Sequence, residues 1–105
     1  MRHRVASSLQ VPRTALAEYE RRHRNLWPEL RDAIAKQGGH NFSIFAVPEL
    51  DRVFSYIEID DIDRWTAGAQ TELTRRWWQH MAEIMPTHAD GAPLSAELRE
   101  VFHQD

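Results

Sequence analysis

Alternating apolar and polar positions, typical of β-strands with one buried face, occur in three segments of the chain. In the first segment Val5, Leu9 and Val11 share one side, together with Ser7. The second and third are separated by a turn-forming stretch at residues 48–51, which predicts an antiparallel hairpin. A shorter stretch near the end of the chain is compatible with a strand that completes a sheet. The four predicted strands cover residues 4–11, 40–47, 52–60 and 98–102.

Apolar residues at intervals of three and four predict helices in the two remaining regions. In the first region Leu16, Tyr19 and His23 lie along one side of a helix. A second helix starts at Pro28, so Trp27 falls at the bend, leaves that line and is expected in the core. The predicted helix starts are Thr14, Pro28, Asp60 or Asp61, and Thr71. The predicted ends are the bend at residues 25–27, the glycines at 38–39, Trp65 and Pro86.

The order of these elements, β-α-α-β-β-α-α-β, predicts an α+β fold with one antiparallel sheet and helices against one of its faces. A ferredoxin-like split βαβ sandwich, formed by a single domain over residues 1–105, is the economical solution. The other sheet face stays open and carries Phe54 and Tyr56 among polar residues. Since a second copy usually covers such a face in a small chain, we expect a homodimer, as a dimeric α/β-barrel type of assembly.

Charge and composition exclude several classes of partner and compartment. Thirteen basic and sixteen acidic residues give a net charge of −3 without a block of like charge, so neither nucleic acid nor an anionic membrane surface is an expected partner. The chain has no cysteine, which excludes disulfides and thiolate chemistry. It has no apolar signal segment and no run approaching the ~20 apolar residues of a membrane span. We therefore expect a cytoplasmic protein.

Six histidines raise the question of a metal site. None of them belongs to an H-E-x-x-H motif or another tight ligand spacing. A site assembled from separate elements stays open on the sequence alone. Gly-rich phosphate loops and nucleophile elbows are absent, and we expect neither a metal nor a cofactor.

One side of the first helix carries a phenol and an imidazole, because Tyr19 and His23 are four residues apart. Such a row suits the wall of a site for a small polyol, where one group moves protons and the other forms hydrogen bonds. The ordinary histidine pKa of about 6.5 is well matched to proton transfer near neutrality. A single histidine at helical spacing is more often an interior or boundary residue, so the spacing alone leaves both interpretations open.

Two adjacent tryptophans, Trp77 and Trp78, lie on the last predicted helix. Neighbouring residues on a helix point about 100° apart, so one ring is expected to pack in the core while the other reaches an edge or a cavity. An indole ring covers the apolar C–H face of a pyranose while its N–H donates to the polar rim. Two large groups in a small core would also explain the pair.

The order and spacing of four segments resemble the L-rhamnose mutarotase family over essentially the whole chain. These segments are YERRHRNLWPEL (19–30), HNFSIF (40–45), RWWQHMAEIMP (76–86) and SAELREVF (95–102). The resemblance implies that His23 is the proton donor and that Tyr19, Trp77 and Trp78 contact the sugar. The family commonly has a tyrosine just after H-N, where this chain has Phe42. Phe42 keeps the ring but loses one hydroxyl, and so one sugar hydrogen bond worth on the order of 1 kcal/mol.

The expected function is that of an aldose 1-epimerase, or mutarotase, which interconverts the α- and β-anomers of L-rhamnose or a closely related sugar. His23 is expected to act as the general acid/base, and Tyr19, Phe42, Trp77 and Trp78 are expected to bind this monosaccharide substrate. One alternative is a small ferredoxin-like dimeric oxygenase, which would carry a bound chromophore or metal. A second is a non-catalytic sugar-binding module, which would bind sugar without accelerating anomer exchange. A third is a partner-binding domain without a ligand, which would neither bind sugar nor accelerate exchange.

Overall fold

A computed structural model describes residues 2–105 and contains a four-stranded antiparallel sheet. The strands are β1 (His3–Gln10), β2 (Gly39–Val47), β3 (Arg52–Ile59) and β4 (Ser95–Leu98). They lie side by side in the order β2-β3-β1-β4, so β1 lies between β3 and β4, neither of which is the next strand in the chain. This order, with helices connecting the strands, is that of a ferredoxin-like split βαβ sandwich, and it confirms the predicted α+β class.

Four helices connect the strands in pairs, and most of their starts follow the predicted signals. Asp61 accepts a hydrogen bond from the Arg64 backbone N–H, and Thr71 does the same for Thr74, so both act as N-caps. The prediction for Thr14 is wrong. It lies inside a 3₁₀ turn at Arg13–Ala15, and the helix that follows has no side-chain cap. The helices are α1 (Leu16–Arg24), α2 (Pro28–Lys36), α3 (Ile62–Gly68) and α4 (Glu72–Met81).

The core lies between the helices and one face of the sheet. Alternate residues of β3, namely Val53, Ile57 and Ile59, are buried on this face, as the alternation predicted. Val53 belongs to one cluster with Tyr19 of α1 and Met81 of α4. Burial of this apolar surface against both central strands therefore fixes α1 and α4 side by side over the sheet.

Near the C-terminus the strand lies three residues earlier than predicted. Ser95–Leu98 pairs with β1, with Leu98 opposite Ala6, and no strand follows it within the described chain. The chain then leaves the sheet, and Glu100 binds the guanidinium of Arg4 at 2.8 Å. Val101 and Phe102, which belong to the stretch predicted to be compatible with a strand, are exposed.

Trp27 is half-exposed, so its predicted place in the core is wrong. As the residue before Pro28 it has an extended backbone and ends the line of Tyr19 and His23. Its ring packs edge-on against Trp77 of α4, with centroids 5.1 Å apart. Trp27 thus joins α2 to α4 at the protein surface.

A β-bulge in β2 directs one aromatic side chain toward the helices. The pairing with β3 shifts by one residue between His40 and Ser43, and Asn41 has a φ of +51°. Phe42, within the bulge, and Ile44, beyond it, face the helix side of the sheet. At the start of β2, an added Cβ on Gly39 would come within 3.0 Å of Ile57 and of Trp65, so the close packing there requires glycine.

Within residues 2–105, no helix combines the length and apolar character that crossing a membrane requires.

Candidate active site

A cavity of about 290 Å³ lies between the helices and the helix-facing side of the sheet, and we call it the central cavity. Its wall includes side chains from all four helices and from β1, β2 and β3. The volume is near the small end of the range for ligand pockets, roughly 300–1,000 Å³, which suits a ligand with a single ring. The five side chains singled out from the sequence all line this cavity: Tyr19, His23, Phe42, Trp77 and Trp78.

The imidazole of His23 has a defined orientation. Its Nδ1 lies 2.9 Å from the backbone carbonyl oxygen of Tyr19, one turn earlier in α1. Because a carbonyl only accepts hydrogen bonds, Nδ1 carries the proton and donates it. In the neutral ring Nε2 therefore keeps its lone pair.

Burial lowers the pKa of His23 below its ordinary value, because a charged imidazolium is poorly solvated beside the apolar wall. The hydrogen bond to the Tyr19 carbonyl acts in the opposite direction but is the smaller effect. His23 is consequently neutral near pH 7, with Nε2 in the basic form that general-base chemistry requires.

Tyr19 supplies a phenol beside this imidazole. Its side chain is buried, and the two rings are 4.4 Å apart between centroids. Burial raises the pKa of Tyr19 to about 12. The phenol therefore stays protonated at neutral pH and offers both a hydrogen-bond donor and an acceptor to a ligand.

The two adjacent tryptophans both reach the cavity, whereas the helix geometry had suggested that only one would. Trp77 also packs against the core cluster, and its ring meets His23 edge-on at 5.5 Å between centroids. Trp78 forms a further part of the wall. His80, one turn after Trp77 in α4, packs on the outer side of Trp77 at 5.6 Å and is not part of the cavity wall.

An ion-pair network fixes α1 against α4 just outside the cavity. The Arg22 guanidinium donates to the backbone carbonyl of His80 at 2.6 Å and pairs with Glu83 at 2.9 Å and Glu18 at 2.7 Å. Hydrogen bonds from Arg21 and Arg22 lower the pKa of Glu18 to about 2. Arg22 thereby holds the helix that carries His23 against the helix that carries Trp77.

Residues 2–105 contain no group of three or more His, Asp or Glu side chains placed to hold a metal ion.

Three comparisons with known proteins point to one family. The family model described as L-rhamnose mutarotase matches residues 4–104. The L-rhamnose mutarotase of Opitutus terrae is 48% identical over 97% of this chain and 98% of its own length. That of Tolumonas auensis is 46% identical over 95% and 96%. The crystal structure of L-rhamnose mutarotase from Formosa agariphila superposes with a TM-score of 0.89 at 30% identity, covering 98% of this chain and 99% of that one. The chain belongs to the L-rhamnose mutarotase family.

Membership of the L-rhamnose mutarotase family confirms the resemblance found in the sequence and identifies the protein as an isomerase. Within this family member, Phe42 lies at the cavity and is partly exposed. Its ring adds apolar surface and no hydrogen-bonding group to the wall. Other side chains must therefore provide the polar contacts of this site.

Sequence reasoning missed three polar side chains of the cavity wall, namely Gln37, Ser55 and Thr74. Ser55 had a detectable signal, because it shares a strand face with the buried Val53 and Ile57. Gln37 follows the last residue of α2 and had none. Positions at helix ends enter a cavity only through the tertiary packing of helices, which periodicity does not describe.

Proposed function

We propose that His23 is the general acid/base with which this member of the L-rhamnose mutarotase family interconverts the α- and β-anomers of L-rhamnose. The supporting observation is that Tyr19 and His23 line one cavity with Trp77 and Trp78, although more than fifty residues separate the first pair from the second in the chain. A set of a proton-transfer group, a phenol and indole faces around a small hollow suits a pyranose ring.

The reaction needs only proton transfers. Neutral His23 takes the proton of the anomeric hydroxyl at Nε2, the C1–O5 bond breaks, and the protonated His23 gives that proton to the ring oxygen, which yields the open-chain aldehyde. Rotation about the C1–C2 bond presents the other face of the carbonyl, and the reverse transfers close the ring as the opposite anomer. Positioned acid/base catalysis is worth roughly 10²–10⁴-fold, which is adequate because mutarotation also proceeds in water.

The remaining wall residues bind the sugar in this proposal. Trp77, Trp78 and Phe42 cover its apolar faces, and the neutral phenol of Tyr19 hydrogen-bonds a hydroxyl beside the reacting carbon. The tilted contact between the Tyr19 and His23 rings, 4.4 Å between centroids, supports this pairing of roles. The Nδ1–H bond of His23 to the Tyr19 carbonyl prevents the imidazole from rotating during the two transfers.

The test is NMR saturation transfer between the two anomers of L-rhamnose, with the uncatalysed rate subtracted. His23→Ala is expected to lower the enzyme-dependent exchange by at least about 100-fold, because no other imidazole lines the cavity among residues 2–105.

His80→Ala is the matched control, because it also removes an imidazole packed on Trp77 but lies outside the cavity wall. Its exchange rate should stay close to that of the unmodified protein. Full exchange in His23→Ala, with the variant folded by circular dichroism, would refute the assignment. Quenching of tryptophan fluorescence by the sugar without exchange in the unmodified protein would instead support a sugar-binding module.

We further propose that the enzyme is a homodimer in which the open sheet faces of two copies meet. On this face Phe45 is 67% exposed, and Phe102 of the tail beyond β4 is 77% exposed. Apolar side chains of this size are unfavourable in water and are typical of an interface. Phe54→Glu, in the middle of the face, should give a monomer by analytical ultracentrifugation, and an unchanged dimer would contradict this arrangement.

The cytoplasmic location and the single domain over residues 1–105 stay predictions from the sequence.

A further inference from the structure

The polar side chains of the central cavity differ in how far they are already engaged within the protein. The Thr74 hydroxyl donates to the Gly68 carbonyl at 3.1 Å and accepts from Thr71, so it belongs to the cap of α4. His23 uses Nδ1 for the Tyr19 carbonyl. The side-chain amide of Gln37 forms no hydrogen bond with another group of residues 2–105, and Gln37 lines the same cavity. It is therefore available to a ligand.

Gly68, at the end of α3, provides the space that this amide occupies. A Cβ added to Gly68 would lie 2.2 Å from the Gln37 Oε1 atom and 2.7 Å from Nε2, and the three nearest atoms all belong to Gln37. Gly68 is itself buried. The absence of a side chain at position 68 thus leaves the space that the Gln37 amide fills beside the backbone of α3.

An amide in this place can form hydrogen bonds with the hydroxyls of the sugar that do not react. In the proposed mechanism His23 acts on O1 and O5, which leaves the hydroxyls on C2, C3 and C4 to be recognised. An amide offers an acceptor oxygen and an NH₂ donor, and so can serve one hydroxyl or two neighbouring ones. Phe42, which lies at the same cavity and for which a sugar contact was expected, has no hydrogen-bonding group.

We infer that Gln37, seated against Gly68, hydrogen-bonds a non-reacting ring hydroxyl of the sugar and determines which sugars the enzyme accepts. This inference rests on the proposed function. Binding pockets that hydrogen-bond a hydroxyl discriminate against analogues lacking it, because the polar group of the protein is then left unpaired.

The decisive experiment combines Gln37→Leu with L-rhamnose and its 2-, 3- and 4-deoxy analogues, using anomer exchange to obtain kcat/KM. The variant should lose about 3- to 10-fold on L-rhamnose, as expected for one neutral hydrogen bond. With one of the deoxy analogues, the kcat/KM of the unmodified enzyme should fall by a similar factor relative to L-rhamnose, and Gln37→Leu should lower it no further. The hydroxyl that this analogue lacks is then the one that Gln37 binds. Equal losses of the variant on every sugar would overturn the inference.

Gln79→Leu is the matched control, since it makes the same chemical change at an exposed position of α4 and should leave kcat/KM unchanged. Gly68→Ala should reproduce the Gln37→Leu profile because the new methyl group displaces the amide. If Gly68→Ala gives the same kcat/KM values on the four sugars as the unmodified enzyme, the space beside Gly68 does not position the Gln37 amide and the inference fails. If the unmodified enzyme accelerates no anomer exchange, the proposed function fails instead, and the two failures are thus distinguishable.

Discussion

The two faces of the sheet share the same strands but have different chemistry. The helix-facing side combines buried aliphatic residues with the aromatic wall of the central cavity. The open side carries ion pairs at one end, such as Arg2 with Glu58, and exposed rings such as Phe45. Because the side chains of a strand alternate between the two faces, a substitution in a strand changes a side chain on one face alone. We therefore expect substitutions on the first face to change stability and anomer exchange, and substitutions on the second to change the self-association that we propose.

The largest expected effect is on stability, and it tests the comparison with two neighbouring residues of β3. Ile57→Ala removes a buried side chain of the helix-facing side and should lower the free energy of unfolding by about 2–5 kcal/mol. Tyr56→Phe, on the open side, removes only the hydrogen bond to Glu58 and should cost about 1 kcal/mol or less. Urea denaturation monitored by circular dichroism measures both. Similar costs for the two variants would break the comparison.

An intermediate effect is expected on acidification, through His23. Because burial lowers its folded pKa below about 6.5, the folded state binds fewer protons than the unfolded state as the pH falls from 6.5 through the folded pKa. The contribution of neutral His23 to the free energy of unfolding is therefore fully present above pH 6.5 and is lost as the pH falls from 6.5 through the folded pKa. Enzyme-dependent exchange should fall in the same direction, with a midpoint below 6.5.

Comparison of thermal unfolding and anomer exchange between pH 5 and pH 8 checks this prediction, with His23→Ala lacking that part of the stability change. Glu18, whose pKa is about 2, contributes in a different window, because its loss of stability occurs as the pH falls from about 4.5 toward 2. A midpoint of activity above 6.5 would contradict the direction of the His23 shift.

The smallest expected effect concerns Phe42, at the edge of the cavity. Phe42→Tyr adds a hydroxyl at a partly exposed position and should strengthen sugar binding by about 1 kcal/mol or less, which is at most about fivefold. Titration of tryptophan fluorescence with L-rhamnose measures the change. Weaker binding by the variant would show that the ring faces only apolar parts of the sugar.

The sequence predicted those parts of the fold in which one local pattern decides the outcome. Val53, Ile57 and Ile59 alternate strictly, and Asp61 and Thr71 are residues with strong capping preferences, so strand β3 and the starts of α3 and α4 were predictable. The C-terminal strand was misplaced because Val101 and Phe102 are more apolar than Ser95–Leu98. Pairing with β1 is decided by where the preceding loop returns to the sheet, with a bridge between Thr87 and Pro93.

The candidate site was predictable to the extent that residue type reveals chemistry. Histidine, tyrosine and tryptophan side chains drew attention by their chemistry, and the family resemblance then selected the five candidate residues, which all line one cavity. Gln37 did not, because its place depends on a missing side chain in another helix, at Gly68. The φ of +51° at Asn41 was equally hidden, since the bulge that turns Phe42 depends on the register between two strands.

The partner of the His23 Nδ1 atom is part of the polypeptide backbone, not a side chain. In a protein where a side-chain carboxylate holds the catalytic imidazole, one amino-acid substitution removes that partner. A main-chain carbonyl, in contrast, is present whatever residue stands at position 19. The backbone of the helix therefore determines which ring nitrogen of His23 carries the proton. Directed evolution of this pocket toward other aldoses can therefore substitute the side chains around His23 while Nδ1 remains the nitrogen that carries the proton.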